Sequence, residues 1–520
     1  MNSLGEIKND GHGNLRGARF AFAGMNYMVD PADMTVESGQ CVDICNCDID
    51  SFNNISRRDG YQLVASGTIT SAWANSNNIY CVQSSRLYTQ INGTLIPISN
   101  SPIVLAQVEF KQVNNIVVFS DGLVIGCLDG VTCYTFTQNA LPDVSALDTY
   151  VKNKYPSGFT ADATNFDTNV FNVSTLPGNC LEYYNGRLYV ARGGWVYCTK
   201  AYDLENQDIR ANVVAGFPDD VTVIARVTDG LYISTAKATY FLKGSGVYEK
   251  DVEGSGFEQN QVNIAGAIYG TAARFQNELI VDTKSKDTTV LWASTMGVVS
   301  ASDSGQVAYL SLNQITMPVG STGTAIVKTK DGIYQYVCCF NVGPDVWINA
   351  SSAATINQSL TTDTWVVNTV TGAHSRYDNY AFNSFFKFGD SYFGSNIRGI
   401  YELTGDVDFG NDGSQQTYIN AFALTPVTDF SDQHEKQTSD ALLNARIDGD
   451  MNLTITVDEA TVYADCTFPF ADQTGKSRTR AVVPQGLRGM SWQFKISNTN
   501  GCYFKLFDFE TNTRALKRMI

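Results

Sequence analysis

Gly186-Arg187-Leu188-Tyr189, then Gly194-Trp195-Val196-Tyr197, is one of seven passages in which a polar turn leads into a short aliphatic or aromatic run, a small-residue turn and a second such run. The others are Asn78-Ile79-Tyr80 with Arg86-Leu87-Tyr88; Asn115-Ile116-Val117-Val118 with Gly122-Leu123-Val124; Gly230-Leu231-Tyr232-Ile233 with Ala238-Thr239-Tyr240-Phe241; Asn277-Glu278-Leu279-Ile280 with Thr289-Val290-Leu291-Trp292; Gly332-Ile333-Tyr334 continuing to Phe340; and Asp390-Ser391-Tyr392-Phe393 with Gly399-Ile400-Tyr401. Runs this short, bounded by turn residues, read as β-hairpins rather than helices. Their starts recur about every 35 to 60 residues, the spacing of four-stranded blades laid down one after another. One blade cannot bury its own apolar faces, whereas several arranged around an axis can. The expected fold is therefore all-β, a β-propeller of about six or seven blades. A plain β-rich protein whose hairpins merely look alike is the competing reading.

Upstream of these hairpins, residues 1–70 differ from the rest of the chain. Phe20 to Asn26 is strand-like, Cys41 to Asp50 alternates apolar and polar, and Ile55 to Tyr61 is a turn into another strand. This segment reads as an N-terminal arm whose last strands help close the ring, since an unpaired sheet edge is a liability. The propeller itself is expected over 71–415. Within it residues 138–180 break the rhythm: Asp143 to Tyr155 suits a short helix, Pro156-Ser157-Gly158 ends it, and the remainder has no clear period. An insertion of this kind is a functional loop or subunit contact, or else a disordered surface loop, and both readings stay open. Over 416–520 the strands lengthen and Leu453-Thr454-Ile455-Thr456-Val457 alternates cleanly, which predicts a C-terminal β-sandwich-like domain.

The 520 residues are too many for one ordinary core, and 43% hydrophobic content with only 17% charged residues favours strands and turns. A formal net charge of −16 argues against non-specific adhesion to nucleic acid or anionic membrane, though not against a protein that DNA passes without sticking. No apolar stretch reaches the length of a membrane span, and the first residues lack a basic region followed by an apolar one, so a soluble chain without secretory signal or membrane insertion is expected. The twelve cysteines are scattered at strand-like positions, which suits free thiols in a reducing compartment better than a disulfide scaffold.

Candidate chemistry is sparse. His12, His374 and His434 lie in three different polar, loop-like settings, and read as surface residues rather than a triad or metal site. Cys41-x3-Cys45-x-Cys47 is the most metal-like string, but in a strand its even offsets place all three thiols on one face as a buried row. Ser302-Asp303-Ser304-Gly305 is a lone, incomplete match to the repeated turns of sialidase-like propellers. Gly244-Ser245-Gly246 and Gly254-Ser255-Gly256 precede no helix and read as turns. Lys476 to Arg480 and Arg514 to Arg518 form either a docking patch or a charged, solvated edge strand, the second being the simpler account. No catalytic, cofactor-binding or metal-ligating residue is assigned, and no enzyme activity is expected.

Two further stretches carry a family resemblance. Phe22-Ala23-Gly24-Met25-Asn26, then Gly39 to Asp50, then Arg57-Arg58-Asp59-Gly60-Tyr61 resembles the opening of structural proteins encoded beside portal genes in bacteriophages. Pro484 to Ile496, Gly501 to Phe504 and Arg514 to Arg518 look like the closing strand pair of the same group. With the propeller between them, the chain is similar to tail nozzle and tail-tube proteins of short-tailed phages. The cysteine-rich strand departs from the group's usual Asn-Val-Asp wording, which leaves the pairing of that strand open. The resemblance implies a virion tail subunit assembled in the host cytoplasm, a six-fold homo-oligomeric ring contacting portal, adaptor and other tail proteins, and a channel that retains DNA and then lets it pass without specific binding. It brings no catalytic residue, and Arg57 and Arg58 read as turn and interface residues. An acidic or neutral lumen would repel phosphates and avoid stalling the duplex. The alternative is a carbohydrate- or receptor-binding propeller with Trp195, Trp292, Trp347 and Tyr401 as stacking platforms. For that role the rings must face solvent, and the strand settings of Trp195 and Trp292 read as core. A sialidase-like hydrolase is a third reading.

Overall fold

The computed structural model describes residues 15–104, 107–136, 172–208, 213–246, 256–276, 288–312, 314–315, 317, 322–341, 364–409, 416–430, 434–458, 462–470 and 475–516. The expected helix at 143–155, most of the 138–180 insertion, Asn277 to Ile280, His12 and Trp347 lie outside them. The described chain is all-β and built largely of small antiparallel sheets.

Six of these sheets have four strands. In chain order, the first comprises Ile69–Ala74, Ile79–Gln83, Arg86–Ile91 and Thr94–Pro97. The second comprises Glu109–Val113, Ile116–Ser120, Ile125–Asp129 and Thr132–Thr135. Cys180–Tyr184, Arg187–Arg192, Trp195–Cys198 and Val213–Gly216 make the third; Val221–Val227, Gly230–Thr235, Thr239–Gly246 and Gly256–Asn263 the fourth; Ala273–Gln276, Thr288–Ser294, Gly297–Ala301 and Val307–Tyr309 the fifth. A sixth unit, Thr322–Lys330, Ile333–Asn341, Thr364–Asn368 and His374–Tyr377, has the same up-and-down order but continues into a nine-stranded sheet. The seventh, Ser384–Phe388, Ser391–Asn396 and Gly399–Glu402, takes its fourth strand, Gln62–Ser66, from the N-terminal arm.

The described runs of the hairpin phrases fall on the middle strands of these units, with one shift. Gly122-Leu123-Val124 is a turn, held by Asp121 Oδ1 accepting from the Leu123 and Val124 amides at 2.8 and 2.6 Å, and the strand begins at Ile125. The middle strands are apolar on both faces because each unit lies between two others. In Arg187–Arg192, Leu188 and Val190 pack on Val118 and Ile125 of the second unit, while Tyr189 and Ala191 pack on Ile224 and Leu231 of the fourth. Val290 and Trp292 likewise meet the fourth unit, and Leu291 and Ala293 meet Tyr336 and Cys338 of the sixth. Val337 and Cys339 then pack on Phe385 and Tyr401 of the seventh. Finally Ala65, Phe386 and Ile400 pack on Ile69, Ile79 and Cys81 of the first, so the succession of cores closes on itself. The arrangement is β-propeller-like, and burying each such large side chain contributes roughly 1.5–3 kcal/mol.

The arm and the C-terminal segment interlock instead of standing apart. Leu15–Phe20 and Ile55–Arg57 pair along the same edge of Phe504–Ala515, which also pairs with Lys436–Ile447. The facing sheet runs from His374–Tyr377 through Asp43–Cys45, Phe422–Leu424 and Trp492–Asn498 to Met451–Val457 and Val462–Phe468. Met451–Val457 alternates buried and half-buried as its sequence pattern predicts, and Leu453 and Ile455 meet Leu443 and Phe509 in the core. Because Asp43–Cys45 joins the sixth unit to this sheet, the propeller-like part and the sandwich share one hydrogen-bonded ladder.

Candidate functional site

The first strands of four successive units bring their charged side chains to one carboxylate. Glu182 of the third unit is 1% exposed. Its Oε2 accepts from Lys111 Nζ of the second unit at 2.7 Å and from Arg274 Nη2 of the fifth at 2.6 Å. Its Oε1 accepts from the Tyr183 amide at 3.0 Å, with Arg226 Nε of the fourth unit 3.8 Å away. The second and fifth units are not neighbours in the succession, so side chains from both reach one carboxylate only at the central axis. Burial works to raise the Glu182 carboxyl, but Lys111, Arg274 and Arg226 outweigh it and hold it below the usual range. Burial lowers the Lys111 ammonium, with Glu182 opposing. Nearby, burial pushes the Glu109 carboxyl up to about 7, against the pull of Lys111 and with Glu182 adding to the rise. Strands that alternate apolar residues with one charge, as in Glu109-Phe110-Lys111 and Ala225-Arg226-Val227, carried the signal for this cluster, yet nothing in the linear spacing joins them.

A second polar centre pins the arm to the ring. Arg58, 1% exposed, forks onto Asp408 with both Nη–Oδ distances at 2.7 Å. It also donates to Asn46 Oδ1, Asp59 O and Asp378 O, each at 2.9 Å, so all five of its N–H donors are used. Its guanidinium carbon stands 4.9 Å from the Tyr380 ring centre. Burial alone would lower its pKa; Asp408 outweighs that and raises it. Arg57 donates to Asp406 O and Gly501 O at 2.7 Å, reaching both the end of the seventh unit and the sandwich. The pair thus lies buried at a seam inside one chain, not at an exposed turn.

The residues flagged by sequence are not brought together. His374 is buried rather than surface-exposed: it lies in a strand of the sixth unit, with the arm across it through a Met25 N–His374 O bond of 3.0 Å. His434 is half-buried in the sandwich, away from it in chain and sheet. The three thiols do not share a face. The chain bends at Val42 and again at Asn46, where φ is 55°, so Cys41 and Cys47 enter the large core while Cys45 donates to Asp378. Among the described residues, no group of three or more His, Cys, Asp or Glu could hold a metal ion. None of the twelve cysteines is in a disulfide, and ten of them are buried. Asp303 of the incomplete sialidase-like turn accepts from the Thr228 amide at 2.8 Å and is buried.

Among the candidate platforms, Trp292 and Tyr401 are core residues, but Trp195 is 53% exposed, contrary to its reading as core. It faces Gly216 on the outer strand of the third unit, where a Cβ would meet the indole at 2.6 Å. The Lys476 to Arg480 cluster belongs to the edge strand Ser477–Val482, where Arg478 and Arg480 pair with Glu510 and Asp440 at 2.6 Å. The described end of the other cluster, Arg514, is exposed.

No family model and no curated protein matches the chain. Among solved structures, the computationally designed Ika8 protein is 10% identical, covers 66% of this chain and 99% of its own, and has a TM-score of 0.37. Kluyveromyces lactis Hsv2p is 11% identical, with 58% of this chain and 81% of its own covered and a TM-score of 0.29. A glycoside hydrolase family 43 arabinoxylan arabinofuranohydrolase from Bacillus subtilis is 10% identical, with coverage of 87% and 96% and a TM-score of 0.24. At such scores these likenesses carry no argument about fold or function.

Proposed function

We propose that this chain is a virion structural protein, a seven-bladed β-propeller subunit of the tail nozzle or tail tube of a short-tailed bacteriophage. Copies assemble into a ring below the portal and adaptor, hold packaged DNA and release it on infection. One observation supports this most. The two stretches that carry the resemblance come from opposite ends of the chain yet fold into one sandwich, with Ile55–Arg57 paired to Phe504–Ala515 and Arg57 bonded to Gly501. They are the parts of one unit, as expected if both were inherited together. The clasped build also suits a mechanical load, because the first and last described strands, Leu15–Phe20 and Phe504–Ala515, pair with each other. The net charge of −16 suits a conduit for DNA.

Peptide mass spectrometry on gradient-purified particles tests this. The chain should band with capsid and portal proteins at about half the portal copy number, the ratio of a six-fold ring on a twelve-fold portal. Its absence from particles would overturn the reading.

A second reading, a carbohydrate-binding propeller, is favoured by the exposure of Trp195. Its test is quenching of tryptophan fluorescence by glycans of the host surface, lost in Trp195→Ala. No quenching by any of them would sink it.

A further inference from the structure

The axial cluster holds more positive charge than its own carboxylates neutralise. Lys111, Arg226 and Arg274 converge on Glu182, and Glu109 lies near Lys111. Even with both carboxylates ionised, two negative groups against three cations leave an excess of positive charge. A single Arg–carboxylate fork would have satisfied Glu182. The donors are also only partly spent. Arg274 gives one Nη2 bond to Glu182, and Arg226 gives Nη1 to Tyr183 O at 3.0 Å. Arg274 Nε and Nη1 and Arg226 Nη2 have no partner among the described residues. These side chains are not sealed in: Arg226, Arg274 and Lys111 are 44%, 28% and 24% exposed, whereas Glu182 beneath them is 1% exposed. Cations half-open to solvent, backed by a buried carboxylate that fixes their heads from behind, have the form of a prepared anion seat.

We propose that the axis of this protein binds a small oxyanion, a phosphate or carboxylate group, with Arg274 and Arg226 as its planar donors and Lys111 as its point charge. Glu182 is the positioning residue: it orients the three cations and tempers their charge. The site is independent of whether the chain belongs to a virion tail.

Isothermal titration of the full chain at pH 7 and constant ionic strength, with inorganic phosphate in one arm and citrate in the other, tests the proposal. Saturable binding of either is expected, and the arm that binds more tightly identifies the phosphoryl or the carboxylate source. Arg274→Gln should weaken it at least about tenfold, because a charge-assisted donor is lost. Glu182→Gln should instead tighten it, since the competing internal anion is gone. That direction is one a purely structural ion cluster does not produce. If Glu182→Gln does not fold, Arg226→Gln takes its place and should weaken binding as Arg274→Gln does. Absence of saturable binding in both arms, or equal affinity in wild type and Arg274→Gln, would overturn the site.

Discussion

Arg58 is a buried charge whose five donors are all matched, and removal of one partner leaves the other stranded. Arg58→Ala is expected to destabilise the fold by about 3–5 kcal/mol, and Asp408→Ala by a similar amount. The double variant should recover part of that loss because no unpaired charge remains, and urea unfolding midpoints of the three variants measure it. His374 gives a pH-dependent counterpart. Burial holds its imidazole down to about 4 from an ordinary 6.5, and its Nε2 has no hydrogen-bond partner. Between those values the unfolded chain binds a proton that the folded chain refuses. Stability is therefore full above pH 6.5 and falls as the pH drops toward 4, by up to about 3 kcal/mol. Unfolding midpoints at pH 4.5 and 7 should differ in wild type and differ less in His374→Gln. Neither residue was legible as buried. Thr371-Gly372-Ala373-His374-Ser375-Arg376 looks like a loop, and what covers His374 is the Gly24–Met25 segment of the arm, hundreds of residues away in sequence.

At the scale of the strand, alternation was the readable signal wherever burial repeats with period two. It located the Leu453 to Val457 strand, whereas the middle strands of the small sheets, many of them buried on both faces, showed as short apolar runs between turn residues. It failed where one residue of positive φ interrupts a strand, as Asn46 does between Cys45 and Cys47, since an apolar row then divides between two sheets. It failed again at Trp195, whose ring covers a glycine at an outer edge rather than entering a core. The axial charges were invisible for a related reason: they lie on four separate strands, and only the closed succession of sheets makes them meet. The strand Gln62–Ser66 joins the two ends of that succession, so its face orientation is open to test. Ala65 is 3% exposed against Phe386 and Ile400, while Ser66 points outward. Ala65→Asp should cost about 3 kcal/mol or more, and Ser66→Asp within about 0.5 kcal/mol, in denaturant midpoints. Equal effects would mean that this strand does not close the ring.

For the molecule as a whole, the sequence pattern predicts an arm whose last strands close the ring and a separate part after residue 415, and the pairing ties arm, ring and C-terminal part together three times over. Gln62–Ser66 completes the seventh unit, Asp43–Cys45 bridges the sixth unit to the sandwich, and Phe504–Ala515 carries Leu15–Phe20 and Ile55–Arg57 on one edge. The buried Arg57–Arg58 pair crosses the same seam through Asp408 and Gly501. Opening the sandwich alone would take the Gly501 carbonyl from the buried Arg57 and bare the Asp43–Cys45 edge of the nine-stranded sheet, costs that are a large fraction of the net stability of a typical domain. Ring and sandwich should therefore unfold together. Scanning calorimetry of the full chain is expected to show one transition, shifted as a single unit by Arg58→Ala, and a chain ending at residue 415 should fail to accumulate as soluble protein because Leu15–Phe20, Asp43–Cys45, Ile55–Arg57 and Val407–Phe409 each lose a pairing partner. Two resolved transitions, with only the lower one moved by Arg58→Ala, would show that the seam is a contact between independent domains.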